Sequence, residues 1–383
     1  MTSITQEQRA ACAAAQAEGL PFAIYREPHG SAFTAVVATA QPVLVPIFGS
    51  PRVPGFVMCP FRTEDGAEAW LMPADVLVTS EGPVFRDGTT FAAAPVTEDQ
   101  RRITAAGTIA PLRASADADA PAPTPRAAYE ARVARAVAAI KAGGCDKIVL
   151  SRIEPRDLKP EHDLCALAEA LGRAHPHAFV SLVSSSVTGT WLTATPEVLL
   201  SVDAQVVRTM ALAGTQWPAP GTDLATLQWP QKIIDEQALV ADFIRDAFAA
   251  EGIGGVEETA PGTVQAANLC HLRSDFEAPA ANPVALAGLL RRLHPTSAVC
   301  GMPRAEAHAF ILEEEGDTRS FYTGYLGPVN LEGRTALYVN LRSARVAGNR
   351  IFLHVGGGIV AASDPALEWE ETVEKTRTIA QVL

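Results

Sequence analysis

The chain lacks the features by which nucleic-acid-binding and membrane-spanning proteins are usually identified. Its 383 residues carry a formal net charge of −12 and contain no run of lysine and arginine, so a nucleic-acid partner is not expected. No stretch approaches the ~18 uninterrupted apolar residues that a membrane helix needs. The N-terminus does not have the basic-then-apolar order of a signal peptide. We therefore expect a cytoplasmic protein that has no membrane partner.

Cysteine pairs are also missing. The six cysteines are scattered, and none are paired at the spacing of zinc ligands, so a zinc site is not expected. Their mostly apolar flanks are typical of reduced thiols. Apolar residues make up 48% of the chain and charged residues 19%, a balance that excludes disorder for most of it.

The order of the predicted elements indicates the fold class. Several strand-like segments follow one another within residues 178–210, and their short turns indicate antiparallel pairing. Helical patterns occur near 232–250, 283–293 and 365–382. Further strands are predicted at 33–38, 43–48, 147–151, 321–327, 335–341 and 351–355. Blocks of antiparallel strands with flanking helices predict an α+β layered fold.

We predict a single domain over residues 1–383, in three parts. Residues 1–113 form a variable N-terminal part without a chemical motif. Residues 114–125, rich in alanine, aspartate and proline, form a surface connection. Residues 126–383 carry the motifs. This last part is expected to open with a helix that ends at Gly143-Gly144.

The predicted helix near 232–250 carries a carboxylate where an apolar side chain is expected. Glu236 lies roughly 40° from the centre of the apolar stripe. A carboxylate there is unfavourable unless it is paired or bound to a metal. The plain alternative is a helix end at which Glu236 reaches solvent.

The final helix has a similar feature. Asp364-Pro365 predicts its N-cap and first turn. Glu368, Glu371 and Lys375 then recur at spacings of three and four, so they share one face of the helix. Further along, the same face carries the apolar residues Ile379 and Val382. An exposed Glu–Lys pair is the plain alternative. Carboxylates from two distant helices, without His or Cys, favour a hard cation such as Mg²⁺.

Three further features qualify as candidates for a site. His354-Val-Gly-Gly-Gly-Ile359 follows strand-like sequence, and its glycines permit close approach of a ligand to backbone N–H groups. Lys147 opens an apolar strand and could serve as a base if its pKa falls in a pocket. Glu197 follows Thr195-Pro196 ahead of another apolar strand. A charge at a strand end is the plain alternative for each of these two.

Together these segments resemble the chorismate-utilising enzyme family, which includes isochorismate synthases, salicylate synthases and the large subunits of anthranilate and aminodeoxychorismate synthases. The resemblance covers roughly residues 125–383. Its motifs occur in the family's order, as Lys147-Ile-Val-Leu-Ser-Arg152, Thr195-Pro-Glu197, Ala211-Leu-Ala-Gly-Thr215, Lys232 through Glu236-Gln237, His271-Leu272, Leu293-His-Pro-Thr-Ser-Ala-Val-Cys-Gly301, Asn340-Leu-Arg342, Gly356-Gly-Gly-Ile359 and Glu368-Trp-Glu-Glu-Thr372 with Lys375.

The resemblance implies a role for each position. Lys147 is similar to the family's general base and Glu197 to its general acid. Glu236 and Glu371 correspond to the Mg²⁺ ligands, with Glu368 in the outer shell of the metal. The implied substrate-binding positions are Gly214, Thr215, His271, Ala298, Arg342, Gly356, Gly357 and Lys375. The sequence departs from a common family pattern at one position. Ile233 directly follows the motif lysine, Lys232, where many members have an acidic residue.

The implied reaction is the Mg²⁺-dependent isomerisation of chorismate to isochorismate. Water attacks C2 while the C4 hydroxyl leaves, which requires a base and an acid. Lys147 and Glu197 suit these roles if Lys147 is neutral and Glu197 is protonated. Ala298-Val299 stands where amine-transferring relatives usually have a threonine, so water is favoured as the nucleophile and no amidotransferase subunit is expected.

Two alternatives to an isochorismate synthase remain open. A salicylate synthase would go on to expel pyruvate from isochorismate in the same site, and His271 corresponds to the histidine that assists this step in the lyase members. An inactive chorismate-binding or regulatory protein is the other alternative. The sequence does not distinguish between siderophore, menaquinone and salicylate pathways.

Overall fold

The computed structural model describes residues 3–87, 90–92, 112, 120–159, 161–216, 218, 221–266 and 269–383. The helices in these ranges are α1 (Gln6–Ala17), α2 (Arg126–Lys141), α3 (Leu164–Ala174), α4 (Gln231–Ala250), α5 (Pro283–Leu293), α6 (Arg304–Glu315) and α7 (Pro365–Ala380). The strands are β1 (Phe22–Arg26), β2 (Thr34–Val37), β3 (Val43–Pro46), β4 (Gly55–Cys59), β5 (Glu68–Pro73), β6 (Val76–Thr79), β7 (Gly82–Asp87), β8 (Thr90–Ala92), β9 (Lys147–Asp157), β10 (Phe179–Ser185), β11 (Gly189–Thr195), β12 (Val198–Val202), β13 (Val206–Gln216), β14 (Glu257–Glu258), β15 (Gly262–Ala266), β16 (Leu269–Pro279), β17 (Gly301–Met302), β18 (Tyr325–Val329), β19 (Thr335–Val339), β20 (Ser343–Ala347) and β21 (Arg350–Ile359).

The strands form two antiparallel sheets. The first sheet has eleven strands in the order β17-β9-β21-β20-β11-β10-β1-β2-β6-β7-β8. The second has ten strands, nine of them in the order β14-β16-β13-β12-β19-β18-β4-β5-β3, with β15 paired to β16. Strand β1 pairs with β10 and strand β4 with β18, so the N-terminal strands are hydrogen-bonded into both sheets. The predicted α+β class, with antiparallel sheets and flanking helices, is confirmed.

Alternation along β1 shows how the layers are stacked. Ala23 and Tyr25 belong to an apolar cluster that joins the two sheets. Phe22 and Ile24, on the opposite face, pack against α1 and α3. Helices α4 and α5 cover the outer face of the second sheet. The order of layers is therefore helices, sheet, sheet, helices, and central strands such as β1, β4 and β19 are buried on both faces.

The predicted helix bounds agree closely with the structure. Helix α7 begins where expected, because the side chain of Asp364 accepts hydrogen bonds from the backbone N–H groups of Ala366 at 2.9 Å and Leu367 at 3.0 Å. Helix α2 ends at Lys141, and Gly143 follows with a φ of +82°. Of the predicted surface connection, residues 120–125 contain no helix or strand, whereas 114–119 lie outside the described residues.

The predicted bounds of two strands were wrong. The strand expected at 321–327 begins only at Tyr325, since Ser320 and Thr323 have φ values of 50° and 60°, which a strand cannot accommodate. The strand expected to end at Ser151 continues to Asp157, because it pairs with β21 along its whole length. Helices α1, α3 and α6 were not predicted. None of the helices in the described ranges combines the length and the hydropathy of a membrane-spanning segment.

Candidate active site

A cavity of about 290 Å³ is lined by residues from both sheets and from helices α4 and α7. It brings together residues that are far apart in the chain. The predicted site residues that line it are Lys147, Glu197, Gly214, Glu236, His271, Ala298, Arg342, Gly356, Gly357, Glu368, Glu371 and Lys375. The side chain of Thr215 lies outside the described residues. The structure therefore places every described candidate at one site.

Lys147 is positioned by the strand pair β9–β21. Its side chain crosses Gly358, where a Cβ atom would lie 2.8 Å from Lys147 Cε, so a larger residue at this place would force the lysine side chain to shift. Lys147 Nζ forms an ion pair with Glu236 Oε1 of α4. Glu236 therefore does not reach into solvent alone, as the plain interpretation of its helix suggested. It contacts the proposed base.

Glu197 is the most deeply buried carboxyl group of the cavity, with 6% of its surface exposed. It connects β11 to β12, and its carbonyl oxygen accepts a hydrogen bond from the N–H of Val339 at 3.0 Å. Burial raises the pKa of Glu197 to about 7, although the positive charges of Lys147 and Arg342 oppose this effect. Near neutral pH a large fraction of Glu197 is therefore protonated and able to donate a proton.

The ionic face of α7 points towards the glycine run of β21. Lys375 Nζ lies 2.6 Å from Glu371 Oε1 and donates a hydrogen bond to the carbonyl oxygen of Gly356 at 2.9 Å. A Cβ atom on Gly357 would lie 3.3 Å from Glu368 Oε2 and 3.9 Å from Glu371 Oε1. The Glu–Lys pair predicted as an alternative does exist. However, the Lys375 side chain is only 14% exposed, and the pair faces the cavity.

Arg342 enters the cavity from a strained backbone position. Its φ is 48°, and its carbonyl oxygen accepts a hydrogen bond from the N–H of Ala194 at 3.0 Å. Burial lowers the pKa of Arg342, while Tyr322, Glu371 and Glu197 act in the opposite direction. A guanidinium group normally stays protonated in proteins, so Arg342 supplies a fixed positive charge.

His271 and Gly214 form one wall of the cavity. His271 Nδ1 lies 2.7 Å from the carbonyl oxygen of Gly214, which assigns the hydrogen to Nδ1. Burial lowers the pKa of His271 to about 4, so its ring is neutral at physiological pH. Gly214 has a φ of +63°, and a Cβ there would lie 2.4 Å from Ile233 Cγ2. The residue that departs from the common family pattern is thus packed against this wall.

Comparison with known proteins identifies the family of the chain. The sequence profile of the family described as "Chorismate binding enzyme" matches residues 90–383. The chain belongs to this family. It is 34% identical over 270 residues to the salicylate biosynthesis isochorismate synthase of Pseudomonas aeruginosa, covering 67% of this chain and 55% of that protein. It is 30% identical over 259 residues to the isochorismate synthase EntC of Escherichia coli K12, covering 66% of each. The chain spans between half and two thirds of the length of the curated relatives it matches first.

Solved structures of the family share the fold. The menaquinone-specific isochorismate synthase MenF of Escherichia coli aligns with a TM-score of 0.78 at 22% identity, over 98% of this chain and 91% of that chain. A DhbC from Bacillus anthracis, described as a putative 2,3-dihydroxybenzoate-specific isochorismate synthase, aligns with a TM-score of 0.70 at 23% identity, over 94% and 95% of the two chains. These alignments extend over the N-terminal part, in which the sequence shows no motif.

The charges of the cavity show what a bound cation would add. Among the described lining residues, Lys147, Lys375 and Arg342 carry three positive charges. Three carboxylates balance them when Glu197 is protonated, namely Glu236, Glu368 and Glu371. Because these charges cancel, a substrate dianion meets no net attraction from them. A divalent cation would leave the site with a surplus of two positive charges.

The donor atoms fit a hard cation. Glu236 and Glu371 are carboxylates with side chains 27% and 39% exposed, so each can be reached by water. No group of three or more His, Cys, Asp or Glu side chains in the described ranges is arranged to hold a metal by itself. Mg²⁺ usually binds one or two protein carboxylates and completes its shell with water and substrate oxygens, which is what this site offers.

Three polar residues that line the cavity, Tyr322, Thr323 and His354, were not predicted as site residues from the sequence. Tyr322 precedes β18, and burial raises its pKa to about 12, so its phenol stays protonated. The sequence analysis named His354 only as the first residue of the glycine motif, and it assigned ligand binding to the backbone N–H groups of that motif. The alternation of β21 contains a signal for it, since His354 shares a strand face with Gly356 and Gly358.

Proposed function

We propose that this protein is an isochorismate synthase, which isomerises chorismate to isochorismate and uses Mg²⁺. The observation that carries the proposal is the placement of Lys147 and Glu197 on one 290 Å³ cavity, with Glu197 buried and its pKa raised to about 7. A proton donor and a possible acceptor thus face one substrate-sized space. The names of the relatives from Pseudomonas aeruginosa and Escherichia coli support the same reaction.

The two residues divide the proton transfers between them. A water oxygen forms a bond to C2 of the ring, and Lys147 accepts the proton that this water gives up. The double bond shifts, the C4–oxygen bond breaks, and Glu197 donates its proton to the leaving hydroxyl. One water enters and one leaves, so the reaction is an isomerisation. Lys147 must have a neutral amine for its role, so its ion pair with Glu236 has to open before the transfer.

The substrate carboxylates have several possible partners. Arg342 and Lys375 are cationic, and a guanidinium group can bind a carboxylate through two parallel hydrogen bonds. Strand β21 pairs with β20 only up to His354, whereas it pairs with β9 up to Ile359. Backbone N–H groups near Gly356 and Gly357 therefore have no strand partner on the β20 side among the described strands and suit an anion.

Glu236 and Glu371 are the proposed Mg²⁺ ligands, and Glu368 lies beside Gly357 to support them. When bound, Mg²⁺ would hold a substrate carboxylate and disperse the charge that develops in the conjugated system. It would also add two positive charges to a cavity whose charged lining residues cancel as long as Lys147 is paired with Glu236.

Ala298 supports water as the nucleophile. It lines the cavity with a methyl group, at the place where the amine-transferring relatives usually have a threonine. An amidotransferase subunit is not required in this proposal. A second candidate is a salicylate synthase, and it is favoured by His271, a neutral histidine held on the cavity wall. Such an enzyme would also remove pyruvate.

One assay distinguishes the candidates. Purified protein is incubated with chorismate, with Mg²⁺ or with a chelator, and the products are separated and identified. Isochorismate alone, formed only with Mg²⁺, supports the proposal. Salicylate plus pyruvate supports the second candidate. Anthranilate formed with added ammonium would contradict the assignment of water as the nucleophile, and the absence of turnover would indicate an inactive chorismate-binding protein.

A further inference from the structure

His354 is a buried polar residue of the cavity that the mechanism above does not use. It is 2% exposed and lines the cavity from strand β21. Its ring contacts those of Trp191 and Tyr322, with centroid distances of 5.1 Å and 5.4 Å. Within the part of the chain that the structure describes, neither Nδ1 nor Nε2 has a hydrogen-bond partner. A buried donor and acceptor without partners are destabilising, so the imidazole requires an explanation.

His354 and the proposed base, Lys147, lie on the same side of strand β21. Side chains two residues apart share a strand face, so His354, Gly356 and Gly358 point to the same side. Lys147 crosses Gly358 on that side. His354 therefore lies on the side of the proposed base, about 13 Å further along the strand at ~3.3 Å per residue. Gly356, the one position between them on this face, carries no side chain, and the hydroxyl oxygen of Tyr322 lies 3.3 Å from where its Cβ would be. His354, Gly356 and Gly358 all line the cavity, so a bound ligand can reach the imidazole.

The protonation state of the ring limits what it can bind. Burial, together with the positive charges of Arg345 and Arg319, lowers the pKa of His354 to about 3. A neutral imidazole has one N–H donor and one lone pair. A carboxylate would use only the donor. A hydroxyl group can accept from one such nitrogen and donate to another acceptor, so it suits either ring nitrogen.

We propose that His354 is a further binding residue of this cavity and that it forms a hydrogen bond with a hydroxyl group, supplied either by the substrate ring or by a water molecule held beside it. The inference rests on the proposed function, because chorismate is the ligand that carries such a hydroxyl at C4. It assigns His354 a contact that a phenylalanine of similar shape cannot make. It also gives a partner to a buried imidazole nitrogen.

The test compares H354F and H354Q with the parent protein. Chorismate affinity is measured by calorimetry in the E197Q background, where slow turnover preserves the ligand. H354F is expected to bind chorismate about tenfold more weakly, which corresponds to ~1.4 kcal/mol, or one hydrogen bond. H354Q, which keeps a donor and an acceptor, is expected to recover part of the loss. Unchanged affinity in H354F would overturn the proposal.

A 4-deoxy analogue of chorismate distinguishes the two sources of the hydroxyl. If His354 contacts the substrate hydroxyl, H354F and its parent bind this analogue equally well. If the partner is a water molecule that is held beside the bound ligand, H354F weakens the binding of both ligands to the same extent. Either result supports the hydrogen bond, and each identifies a different partner for it.

Thermal unfolding of the ligand-free proteins separates this inference from the proposed function. H354F is expected to keep or raise the Tm, because it removes polar atoms that have no partner. A lower Tm would show that His354 is a satisfied structural residue and would overturn the inference. The matched control is H294F, since His294 is also buried, at 5% exposed, but has its Nε2 3.1 Å from the carbonyl oxygen of Pro60. H294F should lower the Tm and leave the affinity unchanged. If the parent protein does not bind chorismate, the proposed function fails. The Tm comparison still decides whether the ring nitrogens of His354 have a hydrogen-bond partner in the ligand-free protein.

Discussion

Replacing Glu197 with glutamine is expected to make the protein more stable at alkaline pH and less active at the same time. The folded-state pKa of Glu197 is raised to about 7 from an ordinary value of 4.5, chiefly by burial. The folded state therefore binds the proton more tightly than the unfolded state does. The stability that this proton contributes is fully present below pH ~4.5 and is lost as the pH rises towards 7. The difference between the two pKa values corresponds to a loss on the order of 3 kcal/mol above pH 7.

Glutamine has almost the same shape as glutamate and no charge to desolvate, so E197Q should escape this loss. Denaturant unfolding of the ligand-free proteins at pH 4.5 and pH 8 measures the free energies of unfolding. The advantage of E197Q over wild type should grow by about 3 kcal/mol between the two pH values. Any effect of the amide that does not depend on pH cancels in this comparison. An advantage that is the same at both pH values would refute the reasoning.

Glu315 provides the matched control. It is 3% exposed, but its carboxylate accepts hydrogen bonds from the N–H and the hydroxyl of Ser151, both at 2.6 Å, and from Arg319 Nε at 2.7 Å. Removing one partner of a buried ion pair typically destabilises a protein by ~3–5 kcal/mol. E315Q should therefore lose stability at both pH values, opposite in sign to E197Q.

The activity of the same variant tests the acid role. In wild type, the rate of isomerisation should fall above pH ~7, as Glu197 loses the proton that it donates. E197Q should lower kcat by about 10²–10⁴-fold and should lack this decrease with pH. A variant with normal kcat and an unchanged pH profile would show that another group protonates the leaving hydroxyl.

Three further substitutions test the other roles in the cavity. Glu371→Gln should abolish Mg²⁺-dependent turnover while circular dichroism shows an intact fold, and a normal Mg²⁺ titration would remove Glu371 from the metal site. Arg342→Ala should raise KM by an amount on the order of 2–4 kcal/mol in binding energy, since a buried carboxylate loses its partner. A KM within about twofold of wild type would contradict this role. Lys147→Ala should reduce kcat by about 10²–10⁴-fold in both directions of the reaction and leave the equilibrium ratio unchanged. If kcat stays near normal, water is activated by a different group, and His271 is the next candidate.

Patterns with short spacing could be recognised without the structure. The capped start of α7 and the shared face of Glu368, Glu371 and Lys375 depend only on residues within one or two turns of a helix. The same kind of signal was available for two helices that were missed. Thr5 and Gln8 form a capping box at α1, and the side chain of Asp163 caps α3. Both helices could therefore have been predicted from capping residues within one helical turn.

The sequence by itself determined the α+β class, the order of the family motifs and the residue types of the site, because periodicity and motif order are properties of neighbouring positions. Only the tertiary structure decided that Lys147 forms an ion pair with Glu236, 89 residues away, and that both line the cavity with Glu197. It also decided that the motif-free N-terminal strands complete both sheets. The tertiary structure also decided that the pKa of Glu197 is raised and that, among the described residues, the ring nitrogens of His354 have no hydrogen-bond partner. Desolvation and charge–charge interactions depend on distances between segments that the chain brings together only when it folds, so no local pattern contains them.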